Sequence, residues 1–189
     1  MRRFRAEPLT PALIDDLLDA AGGAPSVGLS EPWRFVRMES ADARAAVIES
    51  FARCNAEALA AQTDDDRAAY ARLKLEGLRE APLHLAVFCD ETDGKGRGLG
   101  ARTMPEMRRY SVVCAVMQLW LAARARGVGM GWVSILDPED MRRAARAPED
   151  WRLVAYLCLG WPEEEHLDCE LERHGWESRE RLRDRITTV

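Results

Sequence analysis

The sequence predicts an α+β protein, a three-layer sandwich in which a mixed, mainly antiparallel sheet is flanked by helices. Four short apolar segments with strand character alternate with five segments whose apolar residues keep helical spacing. One of these helices, near the middle of the chain, is apolar almost all round and has to be covered on every side. A length of 189 residues suits one domain.

Helix and strand signals in the first half of the chain come from caps and periodicity. Thr10 and Ser40 are suitable N-caps for helices, and Pro11 suits a first helical position. The helix over 64–79 is expected to end before Pro82. The predicted elements are a helix over 10–22, a strand over 33–38, a helix over 40–59, a helix over 64–79 and a strand over 83–88.

The second half begins with a segment rich in glycine and charge, which has no periodicity and is predicted to be a mobile loop. The long apolar helix follows, and Gly127 ends it. The predicted elements are the loop over 90–105, a helix over 107–126, a strand over 130–136, a helix over 138–147 and a strand over 153–159.

The C-terminal segment differs from the rest in composition. From Trp161 onward the chain is polar and has no apolar core of its own, so we expect residues 1–160 to form the domain and 161–189 an arm of it. An arm without a core and a helix that is apolar all round together indicate a homodimer with exchanged arms. The alternative is a monomer with a frayed tail.

Composition excludes several classes of protein. A net charge of −5 argues against a nucleic-acid partner. Five cysteines without C-x-x-C spacing indicate unpaired thiols in a reducing compartment, and three scattered histidines predict no metal site. The start of the chain lacks the apolar stretch of a signal peptide, and the longest apolar run is too short for a bilayer. We expect a soluble, cytoplasmic protein without a membrane partner.

Two motifs point to a binding site. Pro25-Ser26-Val27-Gly28 forms a turn that leads through Pro32 into a strand opening with Trp33, a place where exposed backbone groups can meet a flat aromatic ligand. Read alone, it is also an ordinary connection between a helix and a strand. Gly127-Val-Gly-Met-Gly-Trp-Val-Ser134 is a glycine-lined approach that ends in a hydroxyl. It is not a dinucleotide fingerprint, because a strand follows where that motif has a helix.

Together these motifs resemble the nitroreductase-like flavoproteins, and within them the 5,6-dimethylbenzimidazole synthases. Leu73-Lys-Leu-Glu-Gly-Leu-Arg-Glu-Ala-Pro82 and Arg102-Thr-Met-Pro-Glu106 extend the resemblance to most of the chain. It implies a nitroreductase-like flavin-binding domain, with reduced FMN as the substrate and dioxygen as the co-substrate. The products implied are 5,6-dimethylbenzimidazole and erythrose 4-phosphate, and a separate flavin reductase would supply reduced FMN. An NAD(P)H-dependent nitroreductase or flavin reductase, and a non-catalytic flavin-binding protein, are the alternatives.

The resemblance also implies site residues. Ser134 corresponds to a catalytic serine near the flavin ring, where a hydroxyl can hold dioxygen. The phosphate is expected to meet arginines from both ends of the chain. The cofactor-binding residues implied are Arg2, Arg3, Pro25, Ser26, Gly28, Lys74, Leu75, Ser134 and Arg179.

The chain departs from the family pattern at its start. In the family a helix precedes an Arg-Arg-Asp segment that grips the phosphate and supplies a catalytic aspartate, whereas Met1-Arg-Arg-Phe-Arg5 corresponds to the residues just after it. We expect a native protein longer by about 20–35 residues, one helix and its connection. The alternative is a shortened protein with impaired chemistry.

Overall fold

The computed structural model describes residues 1–189 and contains a four-stranded sheet with helices on both faces. Six α-helices and four strands alternate along the chain. The helices are α1 (Pro11–Gly22), α2 (Ala41–Ala60), α3 (Asp64–Ala71), α4 (Met107–Ala125), α5 (Pro138–Ala144) and α6 (Glu170–Arg173). The strands are β1 (Trp33–Arg37), β2 (Leu83–Asp90), β3 (Gly129–Val133) and β4 (Trp151–Gly160). Short 3-10 turns lie at Val27–Leu29 and Leu182–Arg185.

The strand order is β1-β2-β4-β3, and every neighbouring pair is antiparallel. The predicted α+β sandwich is therefore confirmed, although this chain contributes no parallel pair to the sheet. Alternation along the strands divides the core in two. Leu85 and Val87 of β2 face α1 and α4, whereas Ala86 and Phe88 face α2 and α5. No helix is both long enough and apolar enough to cross a membrane.

Helix α3 is shorter than the sequence predicts. It ends at Ala71, and the segment from Leu73 to Gly77 continues as irregular chain, not as the helix expected up to residue 79. In the irregular segment Gly77 packs against the start of the chain, since a Cβ there would lie 2.5 Å from the Phe4 ring. The helical pattern over this stretch is weak, and tertiary packing commonly overrides weak propensity.

Strand β3 is also shorter than predicted. It ends at Val133, and Asp137 already caps α5 by accepting hydrogen bonds from Glu139 and Asp140. Ser134 consequently lies just beyond the strand, in an exposed connection.

A polar pair lies within the core between the sheet and α2. His84 and Tyr156 are both fully buried and bonded to one another. The Arg44 guanidinium donates to the Pro82 carbonyl at 2.7 Å and to the Met38 carbonyl at 2.8 Å. These contacts fix the turn that leads into β2.

Beyond Pro162 the chain contains no buried residue. This arm contacts the domain through a backbone hydrogen bond from Glu163 to Arg3, through ion pairs and through one aromatic contact, in which the Trp176 ring lies 6.0 Å from that of Tyr70. The division into a domain over 1–160 and an arm over 161–189, and the exchange of that arm with a second copy, stay predictions.

Candidate functional site

The turn over Pro25–Ser30 is tied to the start of α4. The Val27 amide donates to the Ser111 hydroxyl at 3.0 Å, which in turn donates to the Met107 carbonyl at 2.7 Å. Ser26 accepts a hydrogen bond from the Glu31 amide at 3.1 Å. Because its hydroxyl already has this partner, Ser26 organises the turn whether or not it also binds a ligand.

Gly28 adopts a positive φ of 57°, which favours glycine. A Cβ there would lie 2.9 Å from the Leu99 carbonyl oxygen and 3.0 Å from that of Gly96. The close approach that Gly28 permits is therefore made, in this chain, by the loop between β2 and α4. The binding of a flavin by Pro25, Ser26 and Gly28 stays a prediction.

Charged side chains hold the base of the loop between β2 and α4. Arg34 donates to Asp90 and to Asp93 at 2.8 Å each, and Arg108 donates to the Asp93 carbonyl at 2.8 Å. Hydrogen bonds from the Lys95 amide and from Arg34 lower the pKa of Asp93. Arg34 and Arg108 are therefore the anchors of this loop, whose motion stays a prediction.

A cationic pocket of about 340 Å³ lies where the two ends of the chain meet. Arg2, Arg3 and Arg179, which the resemblance implies as phosphate-binding residues, all line this pocket together with Arg173, and their binding of a phosphate stays a prediction. Each of these arginines has an acidic neighbour: Arg173 donates a hydrogen bond to Asp168 at 3.1 Å, whereas the other three pairs are longer, at 3.5 Å from Arg2 to Glu170, 3.3 Å from Arg3 to Glu164 and 3.7 Å from Arg179 to Glu172. The Nη1 atom of Arg2 is buried without a hydrogen-bond partner. Such a pocket can accept an anionic group with several oxygens.

Cys169 lines the same pocket. Hydrogen bonds from the backbone of Glu172 and Leu171 lower the pKa of this thiol, and Arg179 adds to the effect. This placement was not predicted, since nothing in the residues around Cys169 indicates a pocket.

A second, smaller cavity of about 130 Å³ adjoins the cationic pocket. Arg2 and Trp120 line both spaces, and Leu75 and Trp132 line only the smaller one. Ser134 follows directly on Val133, which also lines the smaller cavity. Leu75 lines the smaller cavity, Ser134 lines neither cavity, and the roles of both residues toward a flavin stay predictions. Trp120 and Trp132 were not predicted as site residues. Trp120 lies in an apolar helix, where a tryptophan is expected to belong to the core.

Lys74 does not line either cavity. Its ammonium lies 2.6 Å from a carboxylate oxygen of Glu80. Partial burial opposes ionisation of Glu80, yet the hydrogen bond from Lys74 lowers the pKa of that carboxyl. The Lys74 charge is therefore already neutralised in the chain, and its role toward a flavin stays a prediction.

The glycines of β3 serve a different purpose from the one the sequence suggested. A Cβ on Gly129 would lie 2.8 Å from the Met1 side chain, and one on Gly131 would overlap the Met1 carbonyl oxygen. The space beside β3 is filled by the N-terminal segment, so these two glycines give no open approach to a ligand within the chain.

The predicted site residues form two groups within one chain. Ser111, beneath the turn at Pro25–Ser30, and Trp120, beside both cavities, are nine residues apart on α4, or about 14 Å along its axis. Along this stretch α4 exposes an apolar stripe, here called the α4 outer face, made of Tyr110, Val113, Met117 and Leu121. Between 39% and 58% of each of these side chains is exposed.

Comparisons with known proteins agree with this architecture. Residues 1–161 match the nitroreductase family. A 5,6-dimethylbenzimidazole synthase of Rhodospirillum rubrum is 59% identical over 179 residues, which are 95% of this chain and 85% of that protein. One of Rhodobacter capsulatus is 44% identical over 177 residues, 94% of this chain and 86% of its own. Iodotyrosine deiodinase, solved with FMN and 3-iodo-L-tyrosine, has a TM-score of 0.73 at 24% identity, covering 87% of this chain and 85% of that chain.

Proposed function

The chain belongs to the nitroreductase family, and we propose that it catalyses the reaction for which its relatives are named, the synthesis of 5,6-dimethylbenzimidazole. Reduced FMN is the substrate and dioxygen the co-substrate, and erythrose 4-phosphate is the second product. The observation that carries this proposal is the 59% identity to a 5,6-dimethylbenzimidazole synthase over 95% of the chain. When bound, the reduced flavin ring supplies both the electrons that react with dioxygen and the atoms of the product.

The cationic pocket suits the phosphate of FMN. Arg2, Arg3 and Arg179 approach it from both ends of the chain, and the buried Nη1 of Arg2 makes no hydrogen bond, only a long ion pair with Glu170 at 3.5 Å. Guanidinium groups bind phosphate oxygens in a fixed geometry, so the pocket holds the substrate at its charged end. This arrangement fits the group that the proposed reaction requires.

The smaller cavity suits part of the ring system. Leu75 and Trp132 offer apolar and aromatic surface, and Arg2 connects this cavity with the cationic pocket. Ser134, just past β3, orients dioxygen through its hydroxyl. The loop between β2 and α4 limits the access of water to the ring.

A second copy of the chain completes the site. The α4 outer face is apolar and exposed, and a helix with such a face is normally covered. Pairing through this face brings the Pro25–Ser30 turn of one protomer toward the cavities of its partner. The homodimer thereby unites the two groups of site residues that one chain keeps apart.

A separate flavin reductase supplies the substrate. Because each turnover consumes an FMN molecule, the enzyme needs a new reduced FMN for every cycle. Recycling by a bound nicotinamide, as in a nitroreductase, would regenerate the flavin instead of fragmenting it.

The test is to incubate the protein with chemically reduced FMN in air and to measure 5,6-dimethylbenzimidazole by mass spectrometry. Product that forms without a nicotinamide, with loss of an equal amount of FMN, supports the synthase. Oxidation of NADPH with FMN returned intact supports the nitroreductase alternative and contradicts the proposal. Binding of FMN without any turnover supports a flavin-binding protein.

A further inference from the structure

The N-terminal segment is tied to the start of the arm by its backbone. The Arg5 amide donates to the Trp161 carbonyl at 2.9 Å, and the Glu163 amide donates to the Arg3 carbonyl at 3.3 Å. Phe4 and Pro162 form an antiparallel bridge between these bonds. Residues 3–5 and 161–163 therefore form one backbone anchor, which joins the N-terminal arginines to the start of the arm.

The side chain at the centre of this anchor occupies a space lined by glycines. Phe4 is only 4% exposed. A Cβ added to Gly77 would lie 2.5 Å from the Phe4 ring. The corresponding distances are 3.2 Å for Gly160 and 3.4 Å for Gly129. The ring thus fills a volume into which three strand or loop residues would otherwise project side chains. We call Gly77, Gly129, Gly131 and Gly160 the glycine socket.

Gly131 acts on the backbone, not on the ring. A Cβ there would overlap the carbonyl oxygen of Met1, which belongs to the peptide that Met1 shares with Arg2. A backbone group cannot swing aside as the end of a flexible side chain does. Any side chain at position 131 therefore displaces the peptide from which Arg2 extends.

Arg2 is the residue for which this placement matters. It lines both cavities, and its buried Nη1 has no hydrogen-bond partner. We propose that the glycine socket is a positioning device for Arg2, which sets its guanidinium at the boundary of the two cavities so that it binds the phosphate end of FMN. The proposal rests on the proposed function, and it assigns Gly131 to flavin binding without contact with the flavin.

Three glycine-to-alanine variants form a graded series. Gly131→Ala meets the Met1 backbone, Gly129→Ala meets the Met1 side chain at 2.8 Å, and Gly22→Ala, at the end of α1, meets nothing within 4 Å. Each is titrated with FMN and with riboflavin, which lacks the phosphate, by following flavin fluorescence. We expect Gly131→Ala to reduce the preference for FMN over riboflavin by about tenfold, which is the effect of one misplaced charged hydrogen bond. Gly129→Ala should have a smaller effect, and Gly22→Ala none.

A double-mutant cycle with Arg2→Ala identifies the residue through which the socket acts. In the Arg2→Ala background, Gly131→Ala should cause no further loss of the preference for FMN. If Gly131→Ala does not fold, as judged by circular dichroism, the cycle with Gly129→Ala decides in the same way.

The outcomes separate this inference from the proposed function. A wild type that prefers FMN, with socket variants that weaken both flavins equally or keep the full preference, overturns the positioning role alone. Additive effects of the two substitutions overturn it as well. A wild type that binds neither flavin overturns the proposed function, and the inference with it.

Discussion

The imidazole Nδ1 of His84 lies 2.9 Å from the hydroxyl oxygen of Tyr156, and its Nε2 lies 3.1 Å from the carbonyl oxygen of Ala81. A carbonyl oxygen only accepts, so Nε2 carries the proton and donates to Ala81, while Nδ1 accepts from the tyrosine hydroxyl. The neutral imidazole satisfies both neighbours. A second proton, on Nδ1, would make the Tyr156 hydroxyl accept and would end its donation to the imidazole.

This geometry predicts a pH-dependent stability. Burial, with a smaller contribution from Arg44, lowers the pKa of His84 to about 4 from its ordinary 6.5. Between these values the unfolded chain binds more protons than the folded one, so stability falls as the pH is lowered through this window, by at most about 1.4 kcal/mol per pH unit. Urea unfolding between about pH 4.5 and 7.5 measures this slope.

His84→Gln keeps a donor for Ala81 but binds no proton, so we expect a flatter pH profile between pH 4 and 6.5. His174→Gln, at an exposed position, should keep the wild-type slope. Equal slopes in all three proteins would show that His84 does not control the acid sensitivity.

The Ser134 hydroxyl is predicted to act in the reaction and not in binding. Ser134→Ala should lower the rate of product formation by about 10²-fold or more, since an oriented polar group acts mainly in the transition state. The FMN dissociation constant should stay within about tenfold of the wild type. Ser178→Ala, in the exposed arm, is the matched control. A Ser134→Ala protein with the wild-type rate would remove this serine from the mechanism.

Arg179 is predicted to recognise the phosphate. Arg179→Ala should weaken FMN binding by about 10- to 100-fold and leave riboflavin binding unchanged, because only FMN carries the charged group. Arg185→Ala tests the effect of lost charge alone, since Arg185 lies in the same arm but does not line the pocket. Equal weakening of FMN binding by both substitutions would indicate a general electrostatic effect.

The α4 outer face is predicted to be the dimer interface. Met117→Arg places a charge at its centre, and burying an unpaired charge costs several kcal/mol, so we expect a monomer. Sedimentation velocity measures the change. Met104→Arg, on the exposed loop between β2 and α4, should remain dimeric. If the wild type is itself a monomer, the homodimer proposal is wrong.

Local signals in the sequence predicted the starts of helices well. The Thr10 and Ser40 side chains accept hydrogen bonds from Leu13 and Ala43, as N-caps do. Their partners lie three residues away, so the sequence contains the whole interaction. The two-sided sheet was also predictable, because alternation along β2 and β4 records which side of the sheet each residue faces.

Contacts between distant parts of the chain were not predictable in the same way. After α3, Gly77 packs against the ring of Phe4, 73 residues earlier in the chain, and no local signal records that contact. In the candidate site, too, the contacts between distant residues could not be derived from local signals. The meeting of Arg2 with Arg179 was expected only through a family resemblance, and the filling of the β3 glycines by Met1 and Phe4 was not expected at all.

The lack of buried residues beyond Pro162 has a consequence for how the protein responds to ionic strength. Beyond its backbone bond from Glu163 to Arg3, the arm is attached mainly through ion pairs such as Arg2 with Glu170 and Arg124 with Glu165, each at 3.5 Å and partly exposed. At about 0.1 M salt, charges are screened beyond about 10 Å, and exposed pairs weaken further as salt is added, whereas a packed sheet is little affected. Salt should therefore loosen the arm and release the flavin at concentrations that leave the melting temperature of the domain almost unchanged.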